Sequence, residues 1–96
     1  MANSTVTNPI VIDTWTADVT ISAHPIPIKS IIVESNTAED LVVLEDDKGV
    51  EIFRMRTSTA NQTYVWTPSQ PVVFKNMYLD VSDCTITGTA KMLIYS

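Results

Sequence analysis

The sequence predicts an all-β domain, a β-sandwich or jelly roll of about seven to nine mostly antiparallel strands. Composition is the first reason. Thirteen threonines, eleven valines and ten isoleucines dominate the 96 residues, and branching at Cβ favours the pleated strand over the helix. Periodicity is the second. Apolar residues alternate with period two in stretch after stretch and nowhere recur at helical spacing over a useful window. The third is punctuation: turn residues return every ~8–12 positions, the spacing of a sandwich.

Taken in order, residues 1–9 (MANSTVTNP) carry no core signal and read as a polar arm. TWTADVTIS (14–22) alternates, with Trp15, Ala17, Val19 and Ile21 on one face and Thr14, Thr16, Asp18 and Thr20 on the other. AHPIP (23–27) breaks the ladder, because proline donates no hydrogen bond. IKSIIVES (28–35) resumes it, and its apolar phase shift between Ile28 and Ile31 predicts a bulge near Lys29 and Ser30. NTAED (36–40) is a turn, LVVLE (41–45) and VEIFRMR (50–56) are strands, and TSTAN (57–61) is a polar loop. QTYVWT (62–67) alternates with Tyr64 and Trp66 on one face, and PSQP (68–71) turns the chain. VVFK (72–75) and MYLDVS (77–82) form one bent strand or two short ones. TIT and AKMLIYS (90–96), joined through Gly88, form a closing hairpin whose last strand is expected inside a sheet.

The length suits one domain over residues 1–96. A domain this small buries only roughly 60–65% of its unfolded surface, so partners matter to its stability. Cys84 is the only cysteine, so no disulfide forms within the chain. No apolar run approaches the ~18 residues of a membrane span and the first residues lack a signal-peptide pattern, so folding in a cytoplasm, away from membranes, is expected. The net charge is -5. Lys29, Lys48, Arg54, Arg56, Lys75 and Lys91 are scattered, which argues against a nucleic-acid partner that needs a basic stripe. Charged residues make up 18% of the chain, against about 25% in typical domains. A skin of Thr, Ser, Asn and aliphatic groups is expected to be buried in part against neighbours.

The densest chemical cluster lies in LVVLEDDKGVEIFRM (41–55), where Glu45, Asp46 and Asp47 precede Lys48 and Gly49. Two strands flanking an acidic turn, with glycine where a left-handed residue is needed, spell a hairpin with a type I turn and a glycine bulge. The rival is an ion site shared with a neighbouring chain. Calcium wants about six to eight oxygens at set spacing, whereas adjacent strand side chains point to opposite faces. His24, the only histidine, reads as a turn residue, and no zinc-ligand spacing surrounds it or Cys84. Cys84 in SDCTIT reads as a small buried strand residue, without the signature of a Cys–His nucleophile. Trp15, Tyr64, Trp66, Tyr78 and Tyr95 are core residues or, alternatively, a carbohydrate-binding platform. Gly49 and Gly88 are the only glycines, so no phosphate-cradling loop exists. No residue is assigned to catalysis, a cofactor or a metal.

With WTADVTIS, IPIKSIIVES, the LVVLEDDKGVEIF hairpin and the closing VVFKNMYLDVSDCTITGTAKMLIYS in view, the chain from about residue 14 to 96 resembles small β-sandwich virion proteins of tailed bacteriophages, of the capsid cement or decoration type. The resemblance rests on strand order and turn chemistry and carries over no functional residue. It implies a non-enzymatic structural protein, assembled in the host cytoplasm and resident in the virion. Such a protein forms a homo-oligomer, often a trimer, and ties together the major capsid protein or another virion protein. Two rivals come from other classes. A ligand-binding module of a tail or fibre would expose two or three aromatics on one face, and a small hydrolase would gather Ser and Asp around His24.

Overall fold

The structure, a computed structural model, describes residues 8–22, 25–46 and 48–96. Among them ten strands form two four-stranded antiparallel sheets and a two-stranded ribbon. The first sheet runs β1 (Ile10–Ile12), β10 (Ala90–Tyr95), β4 (Ser30–Ser35), β7 (Gln62–Trp66). The second runs β2 (Val19–Thr20), β9 (Tyr78–Leu79), β5 (Asp40–Glu45), β6 (Glu51–Thr57). The ribbon pairs β3 (Ile26–Ile28) with β8 (Val72–Phe74). The protein is an all-β sandwich, as the alternation predicts, with one strand more than the upper end of the expected range.

Period-two alternation selects what the sandwich buries. Ile10, Ile12, Ile31, Val33, Met92 and Ile94 of the first sheet meet Val42, Leu44, Phe53 and Leu79 of the second in one core. Each such side chain contributes roughly 1.5–3 kcal/mol when withdrawn from water. Trp66 closes one flank, edge-on to Phe53 at 5.6 Å and stacked on Phe74 at 5.9 Å.

The sheets are not separate pieces. Val19 lies opposite Leu79, Ile26 opposite Phe74, Ile28 opposite Val72, Ile31 opposite Trp66 and Ser35 opposite Gln62. These pairs fall on one antiparallel line, so residues 19–22 and 25–35 run against 62–79 as a long ribbon that begins in the second sheet and ends in the first. Its irregularities sit where the chain turns the corner. β3 and β4 are separated by Lys29 alone, whose N–H donates to the Tyr95 carbonyl at 2.8 Å; where the phase shift predicts a bulge the chain instead passes from the ribbon to the first sheet, and the register shift recorded among the described residues lies between Leu44 and Glu45. The opposing segment loops out over 67–71.

Several expectations need correction. Of TWTADVTIS only Val19–Thr20 is strand; Trp15 leaves the alternation to donate from Nε1 to the Ala90 carbonyl at 3.0 Å, and Ala17 is exposed. Pro27 does not end a strand but lies within β3, which pairs on one side only, so its missing N–H breaks no ladder bond there. MYLDVS splits into β9 and a 3-10 turn, Val81–Asp83, capped by Asp80. There is no closing hairpin. β10 pairs with β1 and β4, while Thr85 bridges to Leu41 of the second sheet. Gly88 serves a close approach instead: a Cβ there would collide with the Asn36 side chain and lie 2.7 Å from Thr37 Cγ2. β1 falls where no strand is expected, just beyond the arm. Asn8, inside the expected arm, is tied to the chain end, donating from Nδ2 to the Ser96 carbonyl and accepting from its N–H, both at 3.1 Å. Residues 1–7 of that arm, His24 and Asp47 lie outside the described residues.

Candidate functional site

Three places carry the chemistry of the molecule. Two lie at opposite ends of β5, and the third is the outer face of the first sheet.

At the start of β5 the Asp40 side chain points inward and is fully buried. It accepts from Ser35 Oγ at 2.5 Å, Thr37 Oγ1 at 2.7 Å, Thr87 Oγ1 at 2.9 Å and Thr87 N–H at 3.2 Å. Its own N–H donates to Thr57 Oγ1 at 3.0 Å. Burial alone pushes this carboxyl up, but the donors more than offset it and hold the group below its ordinary value of 3.8. The carboxylate thus ties β4 and the loop before β10 to β5 at one end of the sandwich, and the Asp40 N–H adds β6. Its lone pairs are committed, so its role is structural.

At the other end Glu45 is buried among acceptors rather than donors. One carboxylate oxygen each from Glu45, Asp80 and Asp83 lies within 4.8 Å of the others. A hydrogen bond with Asp83, burial, and the charges of Asp83, Asp80 and Asp46 push Glu45 from 4.5 up to about 7. Asp80 also accepts from Ser82 N–H at 3.0 Å and Ser82 Oγ at 2.6 Å. Counted at one oxygen each, the three carboxylates would supply part of the about six to eight oxygens that calcium takes.

Asp46 belongs to neither group. Its Oδ1 accepts from Lys48 N–H at 2.8 Å and Val50 N–H at 2.9 Å, and those bonds hold it below its ordinary value. Gly49 has φ 82°, the left-handed position that the hairpin reading requires. The run Glu45–Asp46 is therefore divided, one residue facing the 3-10 turn and the next closing the hairpin. Cys84 is not in a strand. Its thiol lies where the 3-10 turn leaves β5 without a backbone partner, and Sγ stands 3.4 Å from Val43 N and 3.5 Å from Val43 O. Burial raises the thiol's pKa, which keeps it protonated and unreactive.

All five candidate aromatics are half-buried. Trp15 and Trp66 pack on the core. The Tyr64 hydroxyl accepts from Thr59 N–H at 2.7 Å, and that of Tyr78 donates to Asp18 at 3.1 Å. No exposed aromatic platform forms among the described residues. An open groove of about 550 Å³ at one end of the first sheet is polar, lined by Glu34, Asn36, Asn61, Gln62, Thr89 and Lys91 among others.

The outer face of the first sheet is different. Val11 lies opposite Leu93, Leu93 opposite Ile32, and Ile32 opposite Val65. These four aliphatic side chains cross all four strands in one row, each at least partly exposed. The neighbouring row holds Lys91, Glu34 and Thr63; Tyr95 and Ser30 lie on the other side. Other exposed valines lie on β8, which follows β7 in the chain. Of the four exposed large aliphatic residues among those described, Val65 (59%), Val72 (38%) and Val73 (55%) lie there, and only Val50 lies elsewhere. No charged residue occurs between Arg56 and Lys75.

Sequence reasoning missed this surface, although a signal was present. Ile10-Val11-Ile12, Ile31-Ile32-Val33 and Met92-Leu93-Ile94 are unbroken apolar runs, and such runs mark strands with apolar groups on both faces. No protein-family model, curated protein or solved structure matches the chain. What fold and surface define is a small β-sandwich with one aliphatic row across the outer face of its first sheet.

Proposed function

We propose that the protein is a non-enzymatic assembly module that docks on a larger protein shell and ties its subunits together, as the capsid cement and decoration proteins it resembles do. The observation that carries this reading is the apolar, charge-free flank of the first sheet. Natural edge strands are usually guarded by charge, and exposed aliphatic patches mark contact sites. Each contact on such a patch is small. Repetition over a lattice multiplies weak contacts, because the second and later ones form at high effective concentration. In this reading the partners are further copies of the chain, as a homo-oligomer of trimeric or other symmetry, and a major capsid or other virion protein. Its residence is the virion after assembly in the host cytoplasm.

The test is made on phage particles produced by the genome that encodes the chain. Mass spectrometry is expected to find the chain at a fixed ratio to the capsid protein. Particles stripped of it should rebind purified wild-type protein to saturation, and the Val65→Asp/Val73→Asp variant should not rebind. Absence of the chain from the particles would overturn the reading.

A further inference from the structure

We propose that Glu45, Asp80 and Asp83 form a binding site for a hard divalent cation, calcium, that fastens the 3-10 turn to the end of β5. The site goes beyond the assembly reading and stands without it.

The fold builds it from two elements far apart in sequence. Val43 and Glu45 lie two residues apart on the same face of β5, and both are buried, at 3% and 8% exposure. The segment from Asp80 to Cys84 lies over that face. Cys84 Sγ stands 3.4 Å from Val43 N, and one oxygen each of Asp80, Asp83 and Glu45 lies within 4.8 Å of the others. Two oxygens on opposite sides of a calcium ion are about 5 Å apart, twice its bond length of ~2.3–2.6 Å. One ion can therefore reach all three.

Two aspartates at a surface turn are unremarkable in themselves. What points to a ligand is the buried carboxylate aimed at them. Asp40, at the other end of the same strand, has hydroxyl and N–H donors on both oxygens. Glu45 is more than nine-tenths buried, yet among the described residues no N–H, hydroxyl or cationic side chain donates to it. Its hydrogen-bonding partner is Asp83, another carboxyl. The cross-strand neighbours of Glu45 are engaged elsewhere: Glu51 on β6 is bonded to Arg54, and Tyr78 on β9 donates its hydroxyl to Asp18. Asp83, Asp80 and Asp46 act on Glu45 with the same sign of charge. A carboxylate withdrawn from water without a donor is costly. A divalent cation removes that cost by placing positive charge where the three carboxylates converge.

The ligand set selects the class of metal. Carboxylate oxygens suit calcium, magnesium or manganese rather than the softer metals that take sulfur and imidazole. Asp80 Oδ1 is taken by the Ser82 N–H and Oγ, which leaves Oδ2 for the ion. Glu45 and Asp83 give one oxygen or two each. The three residues thus supply about three to five of the about six to eight oxygens that calcium takes, and water completes the shell. Asp83 is exposed, so the ion enters from that side without unfolding the chain.

The test is a calcium titration of the chelator-stripped chain, read by calorimetry and by thermal melts. Wild type should bind one ion per chain with a Kd of about 1 mM or below. Calcium at about ten times Kd should raise the melting temperature by roughly 5–10 °C. Magnesium should bind more weakly, because it demands near-ideal octahedral geometry. Glu45→Gln and Asp83→Asn should each weaken calcium binding about tenfold or more. In chelator near neutrality Glu45→Gln should melt no lower than wild type, because it removes the buried charge and keeps the shape. One substitution then preserves the fold and abolishes the response to calcium, which a glutamate of purely structural role would not do. A wild type that takes up no calcium at about 10 mM would overturn the inference. So would calcium binding that both variants retain, or a Glu45→Gln variant that calcium stabilises as much as wild type.

Discussion

Strands β6 and β7 are the neighbouring edges of the two sheets, joined by residues 58–61 and touching through Phe53 and Trp66. They face water in opposite ways. β6 presents Glu51, Arg54 and Arg56, with Arg54 bonded to Glu51 at 2.7 Å and Arg56 near Glu39 at 3.6 Å. These side chains are mostly about half exposed or more, so the pairs add little stability. Their effect is to keep another strand from pairing with that edge. β7 and β8 carry no charge and show valine to solvent. The contrast teaches that this protein, poor in charge throughout, spends its few charges guarding one edge and leaves the other bare. In a chain built this way, where charge is missing is as informative as where it is found.

The sheets differ inside as well, and that difference can be broken by mutation. The inner face of the first sheet is chiefly aliphatic, whereas β5 of the second has a buried carboxylate at each end, Asp40 and Glu45. Asp40→Ala should give the largest effect. It strands the hydroxyls of Ser35, Thr37 and Thr87 and the Thr87 N–H, a loss of about 3 kcal/mol. At roughly 4–8 °C per kcal/mol the melting temperature falls by more than about 10 °C. A drop of only a degree or two would show that the hydroxyl cluster does not hold the sandwich end.

Next in size is the response to pH, where the two carboxylates pull oppositely. Glu45 has its folded pKa raised from 4.5 to about 7. Between those values the folded state holds the proton more tightly than the unfolded one, so stability falls as pH rises through that window and levels off above it. Asp40 lies below its ordinary 3.8; its contribution is complete above that value and is lost as pH falls through the lowered pKa. Thermal melts should therefore show a maximum on the acid side of neutrality. Glu45→Gln should flatten the limb that declines toward neutrality and leave the acid limb as it was.

The smallest of these effects is at the hairpin. Gly49→Val forces a β-branched residue to positive φ and should cost about 1 kcal/mol or more. Asp46→Asn should cost less, because Asn also offers Oδ1 to the Lys48 and Val50 N–H groups. Equal melting curves for the two variants would contradict the turn geometry.

Class, most strands, the interruption at Lys29 and the Gly49 hairpin are legible in the sequence because each follows from local chemistry: Cβ branching, alternation, or a glycine at a turn. What is not legible depends on pairing across long separations. The Asp40 network joins residues 35, 37, 40, 57 and 87, and no local pattern announces it. Glu45 looks like a member of an acidic turn until register sets it beside the 3-10 turn after β9. Trp15 fits the alternation of a strand, yet one hydrogen bond to Ala90 draws the segment out of the sheet. The aliphatic row exists only once four strands are in register, although the unbroken apolar runs hint at it.

The central claim is that the first sheet is the contact face and the β6 side is the water face. It is tested most directly by methyl chemical shifts followed from micromolar to millimolar protein. The account predicts concentration-dependent shifts confined to Val11, Ile32, Val65 and Leu93 and their neighbours on the first sheet, with Ile52 and Met55 on β6 unmoved. Shifts centred on β6, or none on the first sheet at any concentration, would contradict it.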